Sequence, residues 1–126
     1  METHRIAIVD DDIEFLGEME DLLRAHGFET ETYSEPATLL AAAADSPADA
    51  FVVDLRMCGQ GGLRLVRELR RLPRTVQTPI VALSAFHRAE ELSALAESIG
   101  IDRWIMKPFD PYDLLDQLRS LWSEDQ

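Results

Sequence analysis

Cysteine is almost missing from this chain: Cys58 stands alone, so no internal disulfide can form, and no companion at ligand spacing starts a zinc site. His4, His26 and His87 are equally scattered. Long apolar runs are missing too. No stretch reaches the roughly 20 apolar residues of a spanning helix, and Met1 to Arg5 leads into a short apolar strand rather than a signal-peptide core. A soluble, cytoplasmic protein with no membrane partner is the expectation. Basic residues are few, 12 against 24 acidic, for a net charge of −12 that repels phosphate backbones and anionic membranes. Direct nucleic-acid binding by this chain is therefore not expected. Linkers and low-complexity segments are lacking as well, so residues 1–126 read as one domain with one core.

What is there repeats a simple unit. Ile6-Ala7-Ile8-Val9 is a short apolar run suited to a strand buried on both faces, and three aspartates stop it. Phe15, Leu16, Met19, Leu22 and Leu23 then recur at helical spacing up to a stop at His26-Gly27. Phe28 to Tyr33 reads as a more polar strand, followed by Ser34 as N-cap, Pro36 near the helix start and an alanine-rich helix to Ala44. Ala50 to Val53 is a third strand ending at Asp54. A loop containing Gly59, Gly61 and Gly62 leads to a helix with Leu63, Val66, Leu69 and a basic end at Arg70-Arg71, closed by Pro73. Ile80 to Leu83 is a fourth strand ending at Ser84, Ala89 to Ser98 a fourth helix, Trp104 to Met106 a fifth strand, and a fifth helix starts near Pro111.

Strands alternating with helices demand an α/β architecture: a doubly wound parallel sheet, five strands in order 2-1-3-4-5, covered by five helices on both faces. In such sheets the site lies outside the carboxyl ends of the strands, where the strand order switches. Asp10 and Asp11 follow the first strand, Asp54 the third, Ser84 the fourth and Lys107 the fifth, so the five groups should converge. Single acidic residues at strand ends are commonly turn formers or helix caps, the role that suits Asp12. Three carboxylates together repel one another, and a hard divalent cation such as Mg²⁺ relieves that repulsion. A lysine and a hydroxyl beside them can hold an oxyanion.

Four segments, Ile8-Val9-Asp10-Asp11-Asp12, Val52-Val53-Asp54-Leu55-Arg56-Met57, Ala82-Leu83-Ser84-Ala85 and Lys107-Pro108-Phe109, resemble the motifs of response-regulator receiver domains in order and spacing. The resemblance implies a flavodoxin-like fold and a place in two-component signalling. By it, Asp54 is the phosphoacceptor, and Asp10, Asp11, Asp54 and the backbone carbonyl of Arg56 hold magnesium. Ser84 and Lys107 would bind the phosphoryl oxygens, with Ser84 and Trp104 acting as switch residues. The implied partners are a histidine kinase or histidine phosphotransfer protein, and a downstream protein target or output domain. A homodimer through the face of the fourth helix, fifth strand and fifth helix is compatible with it. Such a chain is no enzyme in the ordinary sense, since it catalyses only its own phosphorylation and dephosphorylation.

Two departures stand out. Cys58 replaces the proline usual after the Met57 position, and the glycines that follow predict a looser loop. Phe86, two positions after Ser84, together with Arg56 would flank the approach of a hydrolytic water and lengthen the life of a phosphorylated state. Pro108 is a candidate for a cis bond. Two other readings compete: a haloacid-dehalogenase-type phosphatase, which would leave Asp54 without a role, and a pseudo-receiver that binds partners without phosphorylation.

Overall fold

The computed structural model describes residues 3–57, 61–85 and 88–123. Cys58, Gly59, Gln60 and Phe86 lie outside the described residues, so the expectations placed on them stay expectations. The elements alternate without exception: β1 Arg5–Val9, α1 Ile13–Ala25, β2 Glu29–Tyr33, α2 Pro36–Asp45, β3 Ala50–Asp54, α3 Gly61–Arg71, β4 Ile80–Ser84, α4 Ala89–Ile99, β5 Arg103–Met106 and α5 Pro111–Ser123. All strand pairs are parallel, in the order β2-β1-β3-β4-β5.

Because strand side chains alternate between faces, the sheet divides the apolar residues into two cores. Ala7, Val9, Phe51, Val53, Ile80 and Ala82 pack with Leu39 of α2, Leu65, Val66 and Leu69 of α3, and Leu92 of α4. Ile6, Ile8, Val52, Val81 and Leu83 pack on the other side with Leu16, Met19 and Leu23 of α1 and Leu114, Leu115 and Leu118 of α5. β3 and β4 are buried along their whole length, which is why they read as unbroken apolar runs. β2 forms an edge, and its sequence Glu-Thr-Glu-Thr-Tyr is accordingly polar.

Helix ends follow local chemistry, with two differences from expectation. Asp12 caps α1 by accepting a hydrogen bond from the Phe15 N–H at 3.1 Å, and Gly27 beyond its end has φ 93°, open to glycine at low cost. Ser34 does not cap α2; the cap position falls to Glu35, whose side chain makes no capping bond, and Pro36 starts the helix. Proline at the first position already lacks one of the N–H groups a cap would satisfy. Gly61 and Gly62 are not loop residues but the first turn of α3.

Arg70, at the end of α3, joins three segments. Its guanidinium donates to the carbonyls of Gly100, Thr75, Val76 and Thr78 and to the Asp102 carboxylate, with the shortest bonds, to Gly100 and Thr78, at 2.7 Å. Near the two ends of the chain, the His4 ring stacks on Trp122 of α5 with centroids 3.8 Å apart.

Candidate functional site

Parallel register brings the acidic residues together. Val9 pairs with Val53, so Asp10 and Asp54 leave neighbouring strands at the same level. Asp54 pairs with Leu83, Ser84 pairs with Met106, and Lys107 follows immediately. The Lys107 N–H donates to the Ser84 carbonyl at 2.7 Å, which ties the end of β5 to the end of β4. The Lys107-Pro108 peptide is cis, as the sequence suggested.

At this end of the sheet one carboxylate oxygen from each of Asp10, Asp11 and Asp54 lies within 4.8 Å of the others. Asp10 and Ser84 are fully buried, Asp54 is 7% exposed, and Asp11 is exposed. Asp54 is thus the floor of a pit rather than a surface group. Lys107 reaches across it: its Nζ donates to Asp10 Oδ2 at 2.9 Å and stands 3.6 Å from Asp54 Oδ2. Asp54 Oδ1 accepts from the Arg56 N–H at 3.2 Å, and Asp10 Oδ1 from the Asp12 N–H at 3.0 Å. The first bond folds the main chain of Arg56 back toward the cluster, while its side chain is exposed.

The electrostatics are those of a site short of positive charge. Burial pushes the Asp10 carboxyl above the usual carboxylate range, and the nearby Asp54 charge adds to this; hydrogen bonds from Lys107 and the Asp12 N–H pull the other way without cancelling it. For Lys107, burial disfavours the ammonium, but its bond to Asp10 and the attraction of Asp10 and Asp54 outweigh that and raise its pKa. One ammonium faces three carboxylates. A hard, all-oxygen donor set with an excess of negative charge fits a divalent cation of the magnesium type.

Trp104, on β5 beside Ala82 of β4, is half-buried against the core of α2, α3 and α4. Two features at the site escape sequence reading. Gly62 is buried at the start of α3, where an added Cβ would meet the Asp54 carbonyl oxygen at 1.9 Å and the Leu55 Cα at 2.5 Å. A pair of glycines directly before a helical apolar pattern was the available signal. Phe15 lies beneath the Lys107 ammonium, its ring centroid 5.1 Å from Nζ. Lys107 is, by sequence, the only lysine in the chain.

Comparison with known proteins agrees with this arrangement. Residues 6–119 match the response regulator receiver domain. The chain belongs to that family. Among curated proteins, this receiver is 33% identical over 129 residues to the transcriptional regulatory protein CpxR of Klebsiella pneumoniae, covering 98% of the chain and 53% of that protein. It is also 33% identical over 117 residues to the transcriptional regulatory protein PrrA of Mycobacterium tuberculosis, covering 93% of the chain and 49% of PrrA. The receiver thus spans about half the length of the curated relatives it matches. Among solved structures, the chemotaxis response regulator CheY4 of Vibrio cholerae superposes with a TM-score of 0.87 at 27% identity, over 95% of this chain and 99% of that one. Membership places the chain in two-component signalling. No helix among the described residues is long and apolar enough to cross a membrane.

Proposed function

We propose that this receiver accepts a phosphoryl group on Asp54 from a histidine kinase or histidine phosphotransfer protein, in a Mg²⁺-dependent reaction, and that the acyl phosphate changes the face it offers to a downstream partner. The observation that carries this reading is the Lys107 ammonium shared between two buried carboxylates, Asp10 and Asp54, at the switch point of the sheet.

Phosphoryl transfer asks a protein mostly for position and charge neutralisation. An Asp54 carboxylate oxygen attacks phosphorus; the P–N bond to the donor imidazole breaks, and the imidazole leaves with a proton. The cation would be held by Asp10, Asp11, Asp54 and the Arg56 carbonyl, and when bound it supplies neutralisation of charge on the transferred group. Lys107 turns its ammonium from the carboxylates toward a phosphoryl oxygen. The Ser84 hydroxyl takes another, and this bond draws the end of β4 inward. Trp104 lies next to that movement and is the residue expected to report it, on the face of α4, β5 and α5 proposed for output and for any homodimer contact. The relatives' roles in transcription belong to those proteins; for this chain, contact with a protein target or output domain is the reading, with no direct nucleic-acid contact of its own.

Incubation with acetyl phosphate and Mg²⁺, followed by intact mass, tests it. Wild type should gain one phosphoryl mass and Asp54→Asn none. A mass gain in Asp54→Asn would overturn the assignment, donor turnover without an adduct would favour a phosphatase, and no change in wild type a pseudo-receiver.

A further inference from the structure

Lysine is a flexible choice for a group that must hold one place. Its four-carbon stem loses rotamer freedom when fixed. In this receiver the ammonium is held on one side by Asp10 and Asp54. Those are the carboxylates whose charge a divalent cation and an incoming phosphoryl group would engage. The electrostatic hold on Lys107 therefore weakens at the stage when its position matters. A second support is present that a cation cannot compete for: the face of Phe15, 5.1 Å from Nζ.

The Phe15 ring is itself fixed by three features. Its N–H is the one that Asp12 captures in capping α1, which sets the first turn of the helix. Phe109, two residues after Lys107, meets the ring edge-on with centroids 6.0 Å apart, a favourable aromatic geometry. Both rings are partly buried against the core under α1 and α5. Phe15, Lys107 and Phe109 line one pocket with Asp12, Ala85 and Pro108 beside the acidic cluster. An aliphatic side chain would fill the same space but offers no negative π face to a cation.

We propose that Phe15 is a positioning residue, whose ring face keeps the Lys107 ammonium over the site once the charges of Asp10 and Asp54 are engaged. This rests on the reading of Asp54 as phosphoacceptor and Lys107 as its cation. Phe15 touches no reacting atom; it acts through Lys107.

Because Lys107 is the only lysine, its side-chain methylene resonances in the full chain can be assigned without ambiguity. In wild type the Lys107 ε-methylene protons should be displaced upfield by the ring, in both metal-free and Mg²⁺-saturated protein. Phe15→Leu and Phe15→Met should abolish the displacement, and Phe15→Tyr should keep it. Phosphorylation by acetyl phosphate at saturating Mg²⁺ should slow about threefold in the Leu and Met variants, equivalent to roughly 0.7 kcal/mol. In Phe15→Tyr it should stay within twofold of wild type. Two volume-matched aliphatic variants guard against one that folds poorly. Wild-type rates in both, or equal slowing in Phe15→Tyr, would overturn the inference, as would a Lys107 resonance unmoved by Phe15→Leu. An Asp54→Asn control run alongside separates the two claims: a mass gain there defeats the phosphoacceptor reading, whereas an inert control with an indifferent Phe15 defeats only this one.

Discussion

A carboxylate with no access to water, crowded by two others, gains from losing its charge, and Asp10 is in that position. Its folded pKa is raised above that of the unfolded chain, so its favourable contribution to stability is present below the unfolded pKa and is lost as pH rises through the folded one. In metal-free protein at neutral pH, the ionised Asp10 is a net cost. Asp10→Asn should therefore melt several degrees above wild type in EDTA near pH 7, a shift of the size that about 1 kcal/mol gives a domain of this length. The gain should shrink as pH falls through the raised pKa. Lys107 has the same direction of shift and the ordinary consequence: its contribution is present at neutral pH and is lost as pH rises through its own raised value. Saturating Mg²⁺ should reverse the ranking, because only wild type keeps the full donor set and is stabilised by mass action. Thermal melts with EDTA and with Mg²⁺ at two pH values test this; a variant less stable than wild type in EDTA at neutral pH would show that the Lys107 pairing outweighs burial.

Among the elements, α3 is the one whose placement bears most directly on the site. Its first turn rests on the Asp54 carbonyl through Gly62, and its last turn is pinned by Arg70 to the β4 approach and to Gly100. Gly62→Ala must move backbone against backbone; a loss of about 1 to 3 kcal/mol in urea unfolding is expected, with slower phosphorylation because Asp54 shifts. Arg70→Lys keeps the charge but loses the planar fork that satisfies several carbonyls together, so about 2 kcal/mol should be lost in the same assay. A fully wild-type midpoint in either variant would contradict the packing described. The elements themselves were legible in sequence because β1, β3 and β4 are buried on both faces and so read as apolar runs, each stopped by a polar residue. Asp10, Asp54 and Ser84 are those stops, and Lys107 directly follows the fifth strand. What sequence could not carry was contact between distant side chains. The start of α3 was misplaced because glycine gives no periodic signal, and Arg70 read as a charge at a helix end rather than a clamp. Phe15 read as one more apolar position, since nothing local connects it to a lysine 92 residues away. The depth of Asp54 was hidden for a related reason, for burial of a strand end is decided by the helices that close over it.

On the scale of the whole molecule, the sheet order places β1 in the interior of the fold although it comes first in the chain. The stack of His4 on Trp122 brings the start of that strand's approach and the last turn of α5 within touching distance. Chain order and spatial wiring are thereby separable. A short glycine-serine bridge from Ser123 to His4 could close the receiver domain into a ring, and the ring could be opened elsewhere. The exposed turn at His26 and Gly27, between α1 and β2, is a suitable opening, remote in sequence from every acidic residue of the pit. Such a permutant should unfold in one cooperative transition by circular dichroism and still take up one phosphoryl mass on the aspartate that is now Asp54. If it melted without cooperativity, the direct link from α1 to β2 would have to be counted part of what builds the sheet. If it behaved as expected, the ability to be phosphorylated would belong to the arrangement of the four strand ends that carry the site, whichever peptide bond is left unmade.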